Sequence, residues 1–145
     1  MRYVSTRGAA PELGFTDALL AGLATDGGLY VPDRWPSLPA RRPGSSYAER
    51  AAQIVQLFVG DDLPAATVER LCREAYATFA HPAVVPLVQL HDRHFVQELF
   101  HGPTLAFKDV ALQLVGRMFD EVLRSEEHTS ELQSLRHLVC RLLLE

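Results

Sequence analysis

The spacing of apolar positions divides the chain into short strands and amphipathic helices. Residues 3–5 predict a strand. Phe15, Thr16 and Asp17 open a helix with Thr16 as its N-cap, and Leu19, Leu20 and Leu23 give it an apolar face. Gly27 and Gly28 close that helix, because glycine accepts the left-handed backbone that follows a helix end. Residues 29–31 predict a second strand, stopped by Pro32. Pro32, Pro36, Pro39 and Pro43, with Trp35 and the Arg41–Arg42 pair among them, predict an extended connection. Ser46 followed by Glu49 is a capping box. The helix it opens carries Ala51, Ile54, Val55 and Phe58 and ends near Gly60. Asp62, Leu63 and Pro64 start another helix, with proline tolerated in the first turn and Val68, Leu71, Cys72, Ala75 and Phe79 on its apolar stripe. Residues 84–90 and 94–99 predict a hairpin across His91, Asp92 and Arg93. After the loop at 101–104 a last helix starts near Phe107, with Leu112, Val115, Phe119 and Val122 on its buried side. The class is α/β, and no segment repeats.

Composition narrows this without deciding function. The chain has 145 residues, 48% of them hydrophobic and 22% charged, which is ordinary for a globular protein. A net charge of -4, with no basic run or aromatic-basic interleaving, gives no footprint for nucleic acid. No stretch reaches the roughly 18 apolar residues of a membrane span, and the first residues lack the apolar core of a signal peptide. Cys72 and Cys140 lie far apart, which argues against a disulfide framework or zinc knuckle and fits a reducing cytoplasm. Oligomeric state is left open. One count stands out: of 14 basic residues, only Lys108 is a lysine. Arginine serves surface and ion-pair roles but does not give up its proton to act as a free amine. A solitary lysine is therefore either a chance survivor or a residue whose amine is needed.

The residues around it favour need. Residues 98–109 carry a strand into a Gly102–Pro103 turn and place Lys108 in the first turn of a helix. In open α/β sheets, strand ends are where ligands bind. The helix dipole disfavours a cation there, and apolar Leu105, Ala106 and Phe107 disfavour it by desolvation. Both effects point to a neutral, nucleophilic amine, as condensation with an aldehyde cofactor requires. Competing readings fare worse. His91, His94 and His101 lack a clustered acid or cysteine and read as hairpin surface rather than a metal site. Residues 102–108 lack the spacing of a nucleotide phosphate loop. Gly27 and Gly28 read as a helix stop rather than a phosphate cradle. Cys72 sits in an apolar stripe and reads as core. His101 and Thr104 read as shaping the turn, and Asp109 as favouring the helix N-terminus.

Leu99 to Asp109 resembles the lysine motif of threonine synthases, LFHGPTxAFKD, in which the lysine binds pyridoxal 5'-phosphate (PLP). Tyr3-Val4-Ser5-Thr6-Arg7-Gly8 and residues 22–32 resemble that family's N-terminal domain, and residues 77–79 and 85–87 are similar to further family segments. The resemblance covers essentially all of residues 1–123. It implies conversion of O-phospho-L-homoserine and water to L-threonine and phosphate, with Lys108 as the catalytic and cofactor-binding residue. It also implies an N-terminal domain over 1–80 and, over 81–123, the start of a fold type II PLP domain similar to the tryptophan synthase β subunit. The family's downstream glycine-rich phosphate segment has no counterpart here, so the chain by itself is expected to be inactive. Two alternatives remain: a threonine synthase-like phospho-lyase using the same lysine, and a non-catalytic interaction domain.

From Arg124 the chain changes character. Residues 124–134 resemble the in-frame translation of a widely used DNA sequencing adapter, and 137–145 resemble its continuation past a variable index spanning Leu135, Arg136 and the start of His137. In that frame the first index codon begins with cytosine and the last ends in adenine-thymine, which leucine and histidine both allow. The competing reading is an amphipathic C-terminal helix. On the adapter reading 124–145 is not native sequence, and the gene continues beyond residue 123.

Overall fold

The computed structural model describes residues 1–40 and 42–127. β1 (Tyr3–Ser5) and β2 (Tyr30–Pro32) pair antiparallel, with Tyr3 opposite Pro32 and Ser5 opposite Tyr30. Leu13 bridges to Tyr3 alongside. Between the strands lies α1 (Phe15–Ala21), shorter than the sequence predicts. Gly22, at φ 66, ends it, not Gly27 and Gly28, and Leu23 lies outside the helix and exposed. Thr16 is not its N-cap. Gly14 holds that place, and the Asp62 carboxylate accepts the Thr16 N–H at 3.1 Å from 46 residues away. That long-range cap leaves no local signal.

Gly27 and Gly28 instead close a turn around Asp26. One Asp26 oxygen accepts from Ser5 Oγ at 2.7 Å and the Gly28 N–H at 2.9 Å; the other accepts the Ala9 and Ala10 N–H groups at 3.0 Å. A Cβ on Gly28 would collide with Ser5 Oγ, so a side chain there would have to displace the hydroxyl that donates to Asp26. The Ser5 hydroxyl and these amides pull the Asp26 carboxyl from its ordinary 3.8 down to about 2. Because the folded value is depressed, the stability Asp26 contributes is present above 3.8 and is lost as pH falls through the folded value. Urea-unfolding midpoints are therefore expected to drop between pH 3.8 and about 2 by more in the native sequence than in Asp26→Asn, which has no carboxylate to titrate. Parallel pH profiles for the two would contradict this.

The extended connection has no regular element among its described residues, as its prolines dictate. α2 (Tyr47–Val59) starts from the predicted capping box: Ser46 Oγ accepts the Glu49 N–H at 3.2 Å, and the Glu49 carboxylate accepts the Ser46 N–H at 2.8 Å. Gly60, at φ 65, stops it. α3 (Ala65–Tyr76) has Pro64 at its N-cap rather than inside its first turn, with the Pro64 carbonyl accepting from Thr67 and Val68. Its predicted stripe is buried: Val68, Leu71, Cys72, Ala75 and, just beyond the helix, Phe79.

β3 (Leu87–His91) and β4 (His94–Gln97) form the second antiparallel pair. β3 starts later than predicted because Val84 turns at φ 61, its N–H bonded to the His81 carbonyl at 2.8 Å and its side chain buried. Both strands are exposed along their whole length. α4 (Asp109–Glu127) packs on α3 and completes a core of Val59, Leu71, Cys72, Tyr76, Leu114, Met118 and Val122, among others. Its buried ridge is Leu114, Met118 and Val122, four residues apart, with Leu123 beside it. Val122 is the one predicted position that is fully buried, Val115 and Phe119 are half-buried, and Leu112 is 40% exposed. The face bearing Leu112 lacks a partner among the described residues. Beside the ridge, Arg70 of α3 meets Glu121 of α4 at 2.7 Å. No described helix is long and apolar enough to cross a membrane. Of the segment read as adapter, 124–127 continue α4, while 128–145, Cys140 included, lie outside the described residues.

Candidate active site

Lys108 immediately precedes α4. Its carbonyl accepts the N–H groups of Ala111 at 3.1 Å and Leu112 at 2.9 Å, so it caps the helix instead of lying within its first turn. Its side chain is exposed and takes part in no ion pair among the described residues. The positive end of the α4 dipole lies beside it, as predicted. The predicted desolvation is not supplied by this chain: Leu105 is 73% and Phe107 66% exposed, and both stand in solvent.

The approach to Lys108 is built from local turns. Glu98 still pairs with the hairpin, its N–H bonding to the Pro86 carbonyl at 3.0 Å. Leu99 and Phe100 then leave the sheet, earlier than predicted. His101 does shape the turn: its Nε2 lies 2.7 Å from the Glu98 carboxylate, its carbonyl accepts the Ala80 N–H at 2.9 Å, and its ring lies against Phe100 and His81. His91 and His94 face each other across the far end of the hairpin. No described group of histidine, cysteine and acidic residues is arranged to hold a metal.

Asp109 does more than favour the helix end. It is 3% exposed, and its Oδ2 accepts both the Thr104 N–H at 2.8 Å and the Thr104 hydroxyl at 2.9 Å. Burial pushes its pKa up, but the bonds from Thr104, Gln113 and Ala106 outweigh this and hold it below the ordinary carboxylate value. Gly102 packs so closely on the Asp109 side chain that a Cβ could not fit. Leu105 between them takes φ 61, a left-handed backbone that residues other than glycine adopt at a cost. The α3 end is tied in as well, through the Tyr76 hydroxyl donating to the Val110 carbonyl at 3.3 Å. Glu98, His81 and Tyr76 escape sequence reasoning because their roles depend on pairings that no periodicity encodes. Leu105 escapes because nothing in a leucine signals a left-handed turn.

Cys72 is buried and free, and burial pushes its thiol up to about 11, which makes it core and not a nucleophile.

The chain is similar to known proteins over most of its length. A family model described as threonine synthase N terminus matches residues 2–76. The threonine synthase of Pseudomonas aeruginosa is 53% identical over 127 residues, covering 85% of this chain and 27% of that protein. The crystal structure of PLP-bound threonine synthase from Brucella melitensis aligns with a TM-score of 0.84 at 58% identity, over 88% of this chain and 28% of that one. The yeast threonine synthase structure aligns at 0.77 and 36% identity, over 92% of this chain and 28% of its own. Fold and site thus define an α/β chain built like the opening portion of these enzymes, with a lysine heading its last described helix. The chain belongs to the threonine synthase N terminus family. It spans only 27% of the length of the Pseudomonas relative.

Proposed function

We propose that this chain is the N-terminal part of a threonine synthase, which converts O-phospho-L-homoserine and water to L-threonine and phosphate with PLP attached at Lys108. The observation that carries the reading is the amine of the chain's single lysine, exposed and without an ion-pair partner among the described residues, at the head of α4. An open, uncommitted amine fits a cofactor aldehyde. Bound there, PLP supplies an electron sink for carbon-centred chemistry. Lys108 would hold the cofactor through Nζ, and the same amine would move protons at the substrate α and β carbons. Phosphate departs from the γ carbon, and water adds at the β carbon. In this reading residues 1–80 form the N-terminal domain and 81–123 open the catalytic domain, with α3 against α4 as the joint between them. The protein works in the cytoplasm.

The exposed hairpin argues against a free-standing interaction domain. Leu87, Leu90, Phe95, Leu105 and Phe107 are all more than half exposed, and exposed apolar patches mark surfaces that another part of a protein covers. The test uses the longer protein with PLP and O-phospho-L-homoserine, following phosphate and amino acid together. Equal release of phosphate and threonine is expected. Phosphate without threonine would assign the phospho-lyase reaction instead, and the absence of both would sink the proposal. The 145-residue chain alone is expected to yield no stoichiometric, borohydride-trapped PLP.

A further inference from the structure

We infer that Thr104 and Asp109 are positioning residues for Lys108, a clamp closed on the buried Asp109 carboxylate that sets the amine in place before the cofactor arrives. The inference rests on Lys108 being the PLP lysine. The Lys108 side chain makes no ion pair among the described residues, so its location is set by its backbone. That backbone ends a loop of short turns, in which Leu105 N–H bonds to the Gly102 carbonyl at 3.1 Å and Asp109 N–H to the Ala106 carbonyl at 3.1 Å. Left alone, such a loop would not hold a leucine at φ 61. The clamp holds it: the Asp109 carboxylate takes both donors of Thr104, while Gly102 lets the chain close onto the Asp109 side chain. A buried carboxylate ordinarily seeks a cation, and Lys108 is next to it in the chain. Here Asp109 Oδ2 is occupied by Thr104 instead, so the acid anchors the loop and the amine stays free.

The test is the rate at which apo-protein of full length takes up PLP. The Lys108 nitrogen bonds to the aldehyde carbon with loss of water. Borohydride hydride then reduces the carbon–nitrogen double bond to a secondary amine, found by mass on the Lys108 peptide. Thr104→Val keeps the side-chain shape and removes the hydroxyl. It is expected to slow attachment at saturating PLP by about tenfold to a hundredfold, the scale of an ångström-level misplacement, while leaving the half-saturating concentration unchanged. Thr104→Ser should restore the rate. Asp109→Asn, which removes the charge at constant shape, should slow attachment in the same way and serves if the valine variant does not fold. An unchanged rate in the folded variants overturns the clamp. So does a serine variant as slow as the valine one. Stoichiometric attachment in Lys108→Arg would show that the cofactor lies elsewhere, overturning the reading of Lys108 and this inference with it.

Discussion

Arginine in place of Lys108 is expected to remove threonine formation from the longer protein, by about a hundredfold to ten-thousandfold from the loss of its proton-transfer role alone. The substitution is chosen to keep what is incidental. Arginine retains positive charge, length and exposure, so the fold around α4 should be unaffected. It loses the one property the proposal needs, because a guanidinium stays protonated and cannot condense with an aldehyde or shuttle a proton. Covalent attachment should vanish together with turnover, while noncovalent binding of PLP can persist through groups outside this chain. Alanine would be a poorer probe, since it also removes the charge and the aliphatic stem. Phosphate and threonine release at the native rate in Lys108→Arg would refute the assignment. Steady-state product measurement with borohydride trapping on the same sample decides it.

How legible this was from sequence differs between elements for physical reasons. α2 announces itself, because Ser46 and Glu49 satisfy each other locally and Gly60 supplies the left-handed stop. The α3 stripe is equally plain, since its apolar spacing coincides with the face that becomes buried. α4 shows where periodicity fails. It carries two apolar faces, and spacing cannot say that Leu114, Met118 and Val122 meet α3 while Leu112 stands open. Which face is covered depends on the neighbour, not on the helix. α1 misled for a related reason: Asp62 caps its start from another part of the chain, and Gly22 stops it before Gly27 and Gly28 are reached.

The site divides in the same way. Lys108 could be found because a solitary lysine in a distinctive run of residues is a one-dimensional signal. The desolvation expected of Leu105 and Phe107 could not be judged, because flanking apolar residues dry an amine only when packed over it, and here they point into solvent. From its position alone, Asp109 reads as favouring the helix end. The structure gives it a second one, visible only once the loop folds back to bring Thr104 against it.

Leu71→Ala is expected to cost the helical core ~2–5 kcal/mol of stability. Leu71 is 2% exposed in the middle of α3, the helix that packs against both α2 and α4. Truncation there removes buried methyl groups and leaves a cavity between three helices. Their relative placement is set by many shared contacts, so partial collapse recovers only part of the loss. The cost is large against the roughly 5–15 kcal/mol that holds a domain folded. Because α4 rests on this core, loosening it also loosens the helix that Lys108 caps, and hydrogen exchange in α4 should rise with the loss of global stability. Leu87→Ala provides the contrast: that leucine is 64% exposed on the hairpin, and its truncation should stay within about 0.5 kcal/mol. Urea unfolding followed by circular dichroism measures both. Equal midpoints for the two variants would mean that the α2–α3–α4 cluster is not what holds the chain together.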